Sequence, residues 1–107
     1  MKHRRADILI AGNSVGTLCE QDDGYEFSYH RHYLQQPNPQ PVSLTLPVRE
    51  EVFRSRHIPA FFSGLLAEGS LAEIQCRTLR IDERDTFGRL LETCHDTIGA
   101  VTVRALP

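Results

Sequence analysis

The sequence has little that would suit it to nucleic acid, lipid or metal. Its 107 residues carry 12 Lys and Arg against 14 Asp and Glu, a net charge of −2. Phosphate binding needs a concentrated basic face, so this balance argues against nucleic acid as the main partner. The one basic run, His3-Arg4-Arg5, reads as a solvated terminus. Cysteine is scarce: Cys19, Cys76 and Cys94 are odd in number and widely spaced, with no CxxC. That speaks against a disulfide framework and a zinc knuckle, and a reducing cytoplasm fits best. No apolar run approaches the ~18 residues of a membrane span, and the first residues lack the apolar region of a secretory signal. Internal repeats and low-complexity linkers are missing too.

Catalytic patterns are equally thin. Ser63-Gly64 does not stand in the Gly-x-Ser-x-Gly frame of a nucleophile elbow. Cys94 and His95 are neighbours in sequence, and neighbours on a helix point about 100° apart. Gly12-Asn13-Ser14-Val15-Gly16-Thr17 lacks the Lys of a phosphate loop and lies between two short strands, so it reads as a hairpin turn. His30 and His32 could share a strand face, but no carboxylate or Cys cluster joins them. Glu50-Glu51 and Asp82-Glu83 read as solvated charge pairs. The expectation is therefore no catalytic residue, no metal and no cofactor, and a role in binding.

What is present organises around Pro59-Ala60-Phe61-Phe62-Ser63-Gly64-Leu65-Leu66-Ala67-Glu68-Gly69-Ser70. Phe61, Phe62, Leu65 and Leu66 fall on one face of a short helix, with Pro59 at its first position and Gly69 closing it in a left-handed conformation. The two Phe read as a core plug. Leu65, Leu66, Glu68 and Ser70 read as part of a partner-binding surface, although Leu66 could equally be core.

The rest fits one domain over residues 1–107, 40% hydrophobic and 24% charged. Residues 7–11 and 15–19 read as a hairpin. Tyr25, Phe27 and Tyr29 alternate with polar residues, which marks a third strand with one aromatic face. Tyr33-Leu34 allows one helical turn before Pro37, Pro39 and Pro41 forbid more. Val42, Leu44 and Leu46 predict a half-buried strand stopped by Pro47. Residues 52–58 are either extended or a loop. Ser70 and Glu73 form a capping box for a helix with Leu71, Ile74 and Thr78 on one face, ending near Leu79-Arg80. Asp82 or Asp85 caps the next helix, whose stripe is Phe87, Leu90, Leu91 and Cys94, with close packing expected at Gly88. Residues 98–103 predict a terminal strand running through the sheet beneath the helices. The candidate core is Phe27, Leu44, Leu46, Phe61, Phe62, Phe87, Leu90, Leu91 and Val101.

Taken in order, Pro41-Val42-Ser43-Leu44-Thr45-Leu46-Pro47, Phe61-Phe62-Ser63-Gly64-Leu65-Leu66-Ala67-Glu68-Gly69, and Asp96-Thr97-Ile98-Gly99-Ala100-Val101 resemble the N-terminal subdomain of HipA-type serine/threonine toxin kinases. The likeness runs from about Ile8 to Val103 and departs at Ala67, where the family usually has Pro. Kinase motifs are missing: neither a catalytic-loop His-Arg-Asp nor an Asp-Phe-Gly occurs. The resemblance implies an α+β fold: a small antiparallel sheet curved toward a barrel, with two or three helices packed on one side. It also implies the antitoxin subunit of a three-protein toxin–antitoxin system. Its partners would be a HipA-like kinase and a HipB-type DNA-binding protein, with no direct nucleic-acid or membrane contact.

Overall fold

A computed structural model describes residues 3–97 and 99–107. Five strands, β1 (Arg5–Ile10), β2 (Asn13–Gln21), β3 (Gly24–Tyr29), β4 (Phe53–Ser55) and β5 (Val101–Leu106), form one antiparallel sheet in the order β4-β3-β2-β1-β5. Ala11 and Gly12 make the first turn with φ of 48° and 84°. Positive φ at both central residues matches the twist of a two-residue hairpin. The register shifts between Ile8 and Leu9, so Val15 is an extra residue on β2 and is fully buried.

Alternation then puts Ala6, Ile8, Leu18, Phe27 and Val103 on one face of the sheet, all inaccessible to solvent. Gly16 makes this possible, because a Cβ there would lie 2.6 Å from the Ser28 carbonyl and 2.9 Å from the Phe27 ring. The four helices are α1 (Arg31–Leu34), α2 (Ala60–Ser63), α3 (Gly69–Leu79) and α4 (Thr86–Thr93). Phe62 of α2 meets the Phe27 ring at 5.6 Å between centroids, and Phe87 and Leu90 of α4 close the same cluster. Burying each such side chain stabilises the fold by about 1.5–3 kcal/mol. Leu91, Phe61 and Val101 are half-buried against it. The Cys94 carbonyl, just past α4, accepts a 2.8 Å hydrogen bond from the Val103 N–H, which pins the helix to edge strand β5.

The expected α+β fold, an antiparallel sheet with helices packed on it, is what the chain forms, and the sheet stays open between edges β4 and β5. Among the described residues there are four helices, two of them single turns beside the two longer ones α3 and α4. Several other expectations fail for definable reasons. The last strand borders the sheet and does not run through it. Residues 42–46 are a turn and not a strand: Ser43 and Leu46 pair across it, and the Ser43 hydroxyl accepts from the Thr45 N–H at 3.2 Å. Local side-chain bonding of this kind competes with extended structure. The Tyr29 hydroxyl clamps both sides, accepting from the Val42 N–H at 2.9 Å and donating to the Leu46 carbonyl. Val42 and Leu46 are consequently buried, whereas Leu44 sits at the tip, 96% exposed, and is not core. The capping box does not form. Gly69, at φ 62°, turns the chain into α3 two residues early, Glu68 holds the cap position without a side-chain bond, and Ser70 lies inside the first turn. Residues 53–55 settle as the short strand β4. The proposed start of the last strand at Ile98 lies outside the described residues.

Candidate interaction surface

Arg4 is a hub, not a solvated tail residue. Its guanidinium donates to Glu20 at 3.1 and 2.8 Å and to Asp85 at 3.0 and 2.9 Å, and lies 5.3 Å from the centroid of the Phe87 ring. Bidentate pairing of this kind fixes geometry as well as charge. These bonds from Arg4 hold both the Glu20 and Asp85 carboxyls below their ordinary pKa, and they raise that of Arg4. Asp85 also accepts from the Gly88 N–H at 3.1 Å as the α4 cap. A Cβ on Gly88 would stand 2.3 Å from the Asp85 carboxylate, so the close packing expected there is a side-chain cap pressed on the helix. The cluster borders an open cleft of about 860 Å³ shared with His3, Tyr25 and Arg56. The charges of Arg4, Glu20 and Asp85 are spent on one another.

A second polar cluster centres on Asp7, within β1. Asp7, 5% exposed, accepts from the Ser14 hydroxyl and, at 2.7 Å, from Arg104 of β5. His30 Nε2 is 3.0 Å from Ser14 Oγ and 3.6 Å from Asp7 Oδ1. Burial alone would raise the Asp7 carboxyl, but the bonds from Ser14, Arg104 and His30 outweigh it and hold the group below its ordinary value. This Ser, His and Asp do not make a triad, which needs the carboxylate and the hydroxyl on opposite imidazole nitrogens. Here one nitrogen faces both. His30 and His32 stack with rings nearly parallel at 5.3 Å, so they do not converge on a point as metal ligands would. Cys94 is buried with its thiol pKa pushed up by desolvation, and His95 is exposed, so the pair makes no thiolate nucleophile.

The four residues expected to meet a partner divide. Leu65 and Leu66 are half-buried against the core, and the Cys94 thiol approaches the Leu65 carbonyl at 3.9 Å. Arg89 of α4 donates to the Ala67 carbonyl at 2.8 Å, which ties α4 to the α2–α3 junction. Glu68 and Ser70 are exposed. Beyond them α3 presents Leu71 and Ile74 to solvent and buries Ala72 and Cys76. Sequence reading grouped Leu71 with Ile74 correctly but could not tell that their side faces outward. It missed Arg4 and Asp7 because their partners lie 81 and 97 residues away.

The described residues thus form a small open sheet with helices packed against it and one helix side left apolar and exposed. The family model described as the HipA N-terminal domain matches residues 6–104, and the chain belongs to that family. It is 32% identical over 101 residues to an uncharacterized protein of Haemophilus influenzae, covering 94% of this chain and 92% of that one. It is also 32% identical over 102 residues to the conjectured kinase Y4mE of Sinorhizobium fredii, of which it spans 24%. The solved N-terminal domain of HipA toxin superposes with a TM-score of 0.72 at 27% identity, covering 97% of this chain and 93% of that domain.

Proposed function

We propose that the chain is a HipS-like antitoxin of a HipBST-type system, which binds a HipA-like serine/threonine kinase, HipT, and holds it inactive by protein contact. The HipB-type DNA-binding protein would complete the same cytoplasmic complex. The observation that carries the reading is the confinement of the match: it fills the HipA N-terminal domain but reaches only a quarter of the kinase-like relative. On this reading the chain corresponds to one module of that relative and works by contact. Inhibition requires tighter binding to the inactive kinase than to the active one, and moving a two-state kinase from 99:1 to 1:99 takes a difference of about 10⁴-fold. Leu65, Leu66, Glu68 and Ser70 at the α2–α3 junction would supply part of the contact. The match to part of a longer protein equally favours an N-terminal docking subdomain of one kinase polypeptide, using the same surface within a chain. Reading the gene past Pro107 separates the two.

The test is co-expression with a HipA-like kinase encoded alongside. Growth rescue and co-purification are expected, and Glu68→Ala with Ser70→Ala should weaken capture without unfolding the exposed junction. A chain that neither rescues growth nor co-purifies would end the proposal.

A further inference from the structure

The helix α3 carries its side chains the wrong way round for a helix that only packs on its own core. Its eleven residues place Leu71, Ile74 and Thr78 at i, i+3 and i+7 on one side. The buried side holds the small residues Ala72 and Cys76. A surface helix ordinarily turns its large aliphatic residues inward. Here Leu71 and Ile74 are 56% and 57% exposed, and with Leu79 they are three of the four large hydrophobics exposed among the described residues. The stripe continues directly from Glu68 and Ser70.

We propose that the Leu71–Ile74–Thr78 side of α3 is a docking helix that seats in an apolar groove on the catalytic body of a HipA-like kinase. This rests on the partner class proposed above and names the surface that partner covers. Two observations choose the occupant. In Y4mE about three-quarters of the protein lies outside the matched segment, so a domain of this kind is joined there to a much larger body that could cover its exposed helix. The stripe from residue 71 to 78 is only ~10 Å long. That is too small for a self-sufficient contact between two copies, which needs about 800 Å² per partner, but it suits one anchor of a larger heterologous interface. Exposed Glu73 and Arg77 flank the stripe and would lie at the rim.

The test compares wild type with the Leu71→Ala/Ile74→Ala double variant for affinity toward the co-encoded kinase, measured by titration calorimetry on the separately purified full chains. Circular dichroism and thermal melting verify folding. The expected result is a tenfold or greater loss of affinity with the melting midpoint unchanged. Ile74→Gln, a single change to another helix former, should lose at least threefold and covers the case in which the double variant is poorly folded. Wild-type affinity in both variants would overturn the assignment while leaving the kinase as partner. No binding by wild type would overturn both. Concentration-dependent dimerisation of the chain alone, abolished by Ile74→Gln, would overturn it in favour of a second copy.

Discussion

α3 and α4 follow one another in the chain, and each carries aliphatic residues at helical spacing. α4 turns Phe87, Leu90 and Cys94 inward until almost nothing of them is exposed, while α3 shows Leu71 and Ile74 to water. Their ends differ in the same sense. α4 starts at an Asp85 cap clamped by Arg4 and finishes with its Cys94 carbonyl tied to β5. α3 starts on Gly69 with no side-chain cap and finishes on Arg80 in the left-handed conformation, φ 59°. One helix belongs to the core, and the other has an outer side left for something else. The difference lies in what the sheet leaves room for, since Phe62, Phe87 and Leu90 already fill its covered face.

That contrast can be broken at several points. Phe87→Ala should cost most, about 3–5 kcal/mol, because it opens a cavity against Tyr25 and the rest of the cluster; urea unfolding would measure it. A loss below 1 kcal/mol would mean α4 is not the core helix. Arg4→Ala should come next, at about 2 kcal/mol in the same assay, since it leaves Glu20 and Asp85 facing each other and loosens the α4 cap. Acid should act through the same groups. Asp7, Glu20 and Asp85 have folded pKa values lowered from ordinary values of 3.8, 4.5 and 3.8. Their contribution is present above those ordinary values and lost as pH falls through the lowered ones. The melting midpoint should therefore hold from neutrality to about pH 5 and fall below about pH 4. Arg4→Ala should flatten that fall; an equally steep fall would take the hub out of the account. The smallest effect belongs to α3, where Leu71→Ala and Ile74→Ala should each shift stability by no more than about 0.5 kcal/mol. A loss of 2 kcal/mol at either would show that the stripe packs on the domain itself.

Much of this was legible from local pattern. The meander β1–β2–β3 follows from turn residues and the alternation of Tyr25, Phe27 and Tyr29, and α4 follows from the spacing of Phe87, Leu90 and Cys94. The motifs of the HipA N-terminal subdomain were legible for the same reason, being short and contiguous. The segment Val42–Leu46 misled because alternation cannot distinguish a strand from a tight turn whose alternate residues straddle it. Only the Tyr29 hydroxyl, reaching from β3, decides that Val42 and Leu46 go in and Leu44 goes out. At the α2–α3 junction Glu68 and Ser70 are exposed, and the outward turn of Leu71 and Ile74 beyond them could not be read from sequence.

By itself the chain determined its periods: which residues share a face, where the turns of the β1–β2–β3 meander fall, that Asp82 or Asp85 starts a helix, and that acidic residues outnumber basic ones. Those properties depend on neighbours within a few positions, and backbone geometry transmits them directly. The tertiary structure alone decided which face each helix turns to the sheet, that the sheet stays open with β5 at its edge, and that Arg4 and Asp7 become the centres of ion-paired clusters. Such outcomes depend on competition for one limited apolar surface and on charges meeting across 81 and 97 residues, and no local pattern records either.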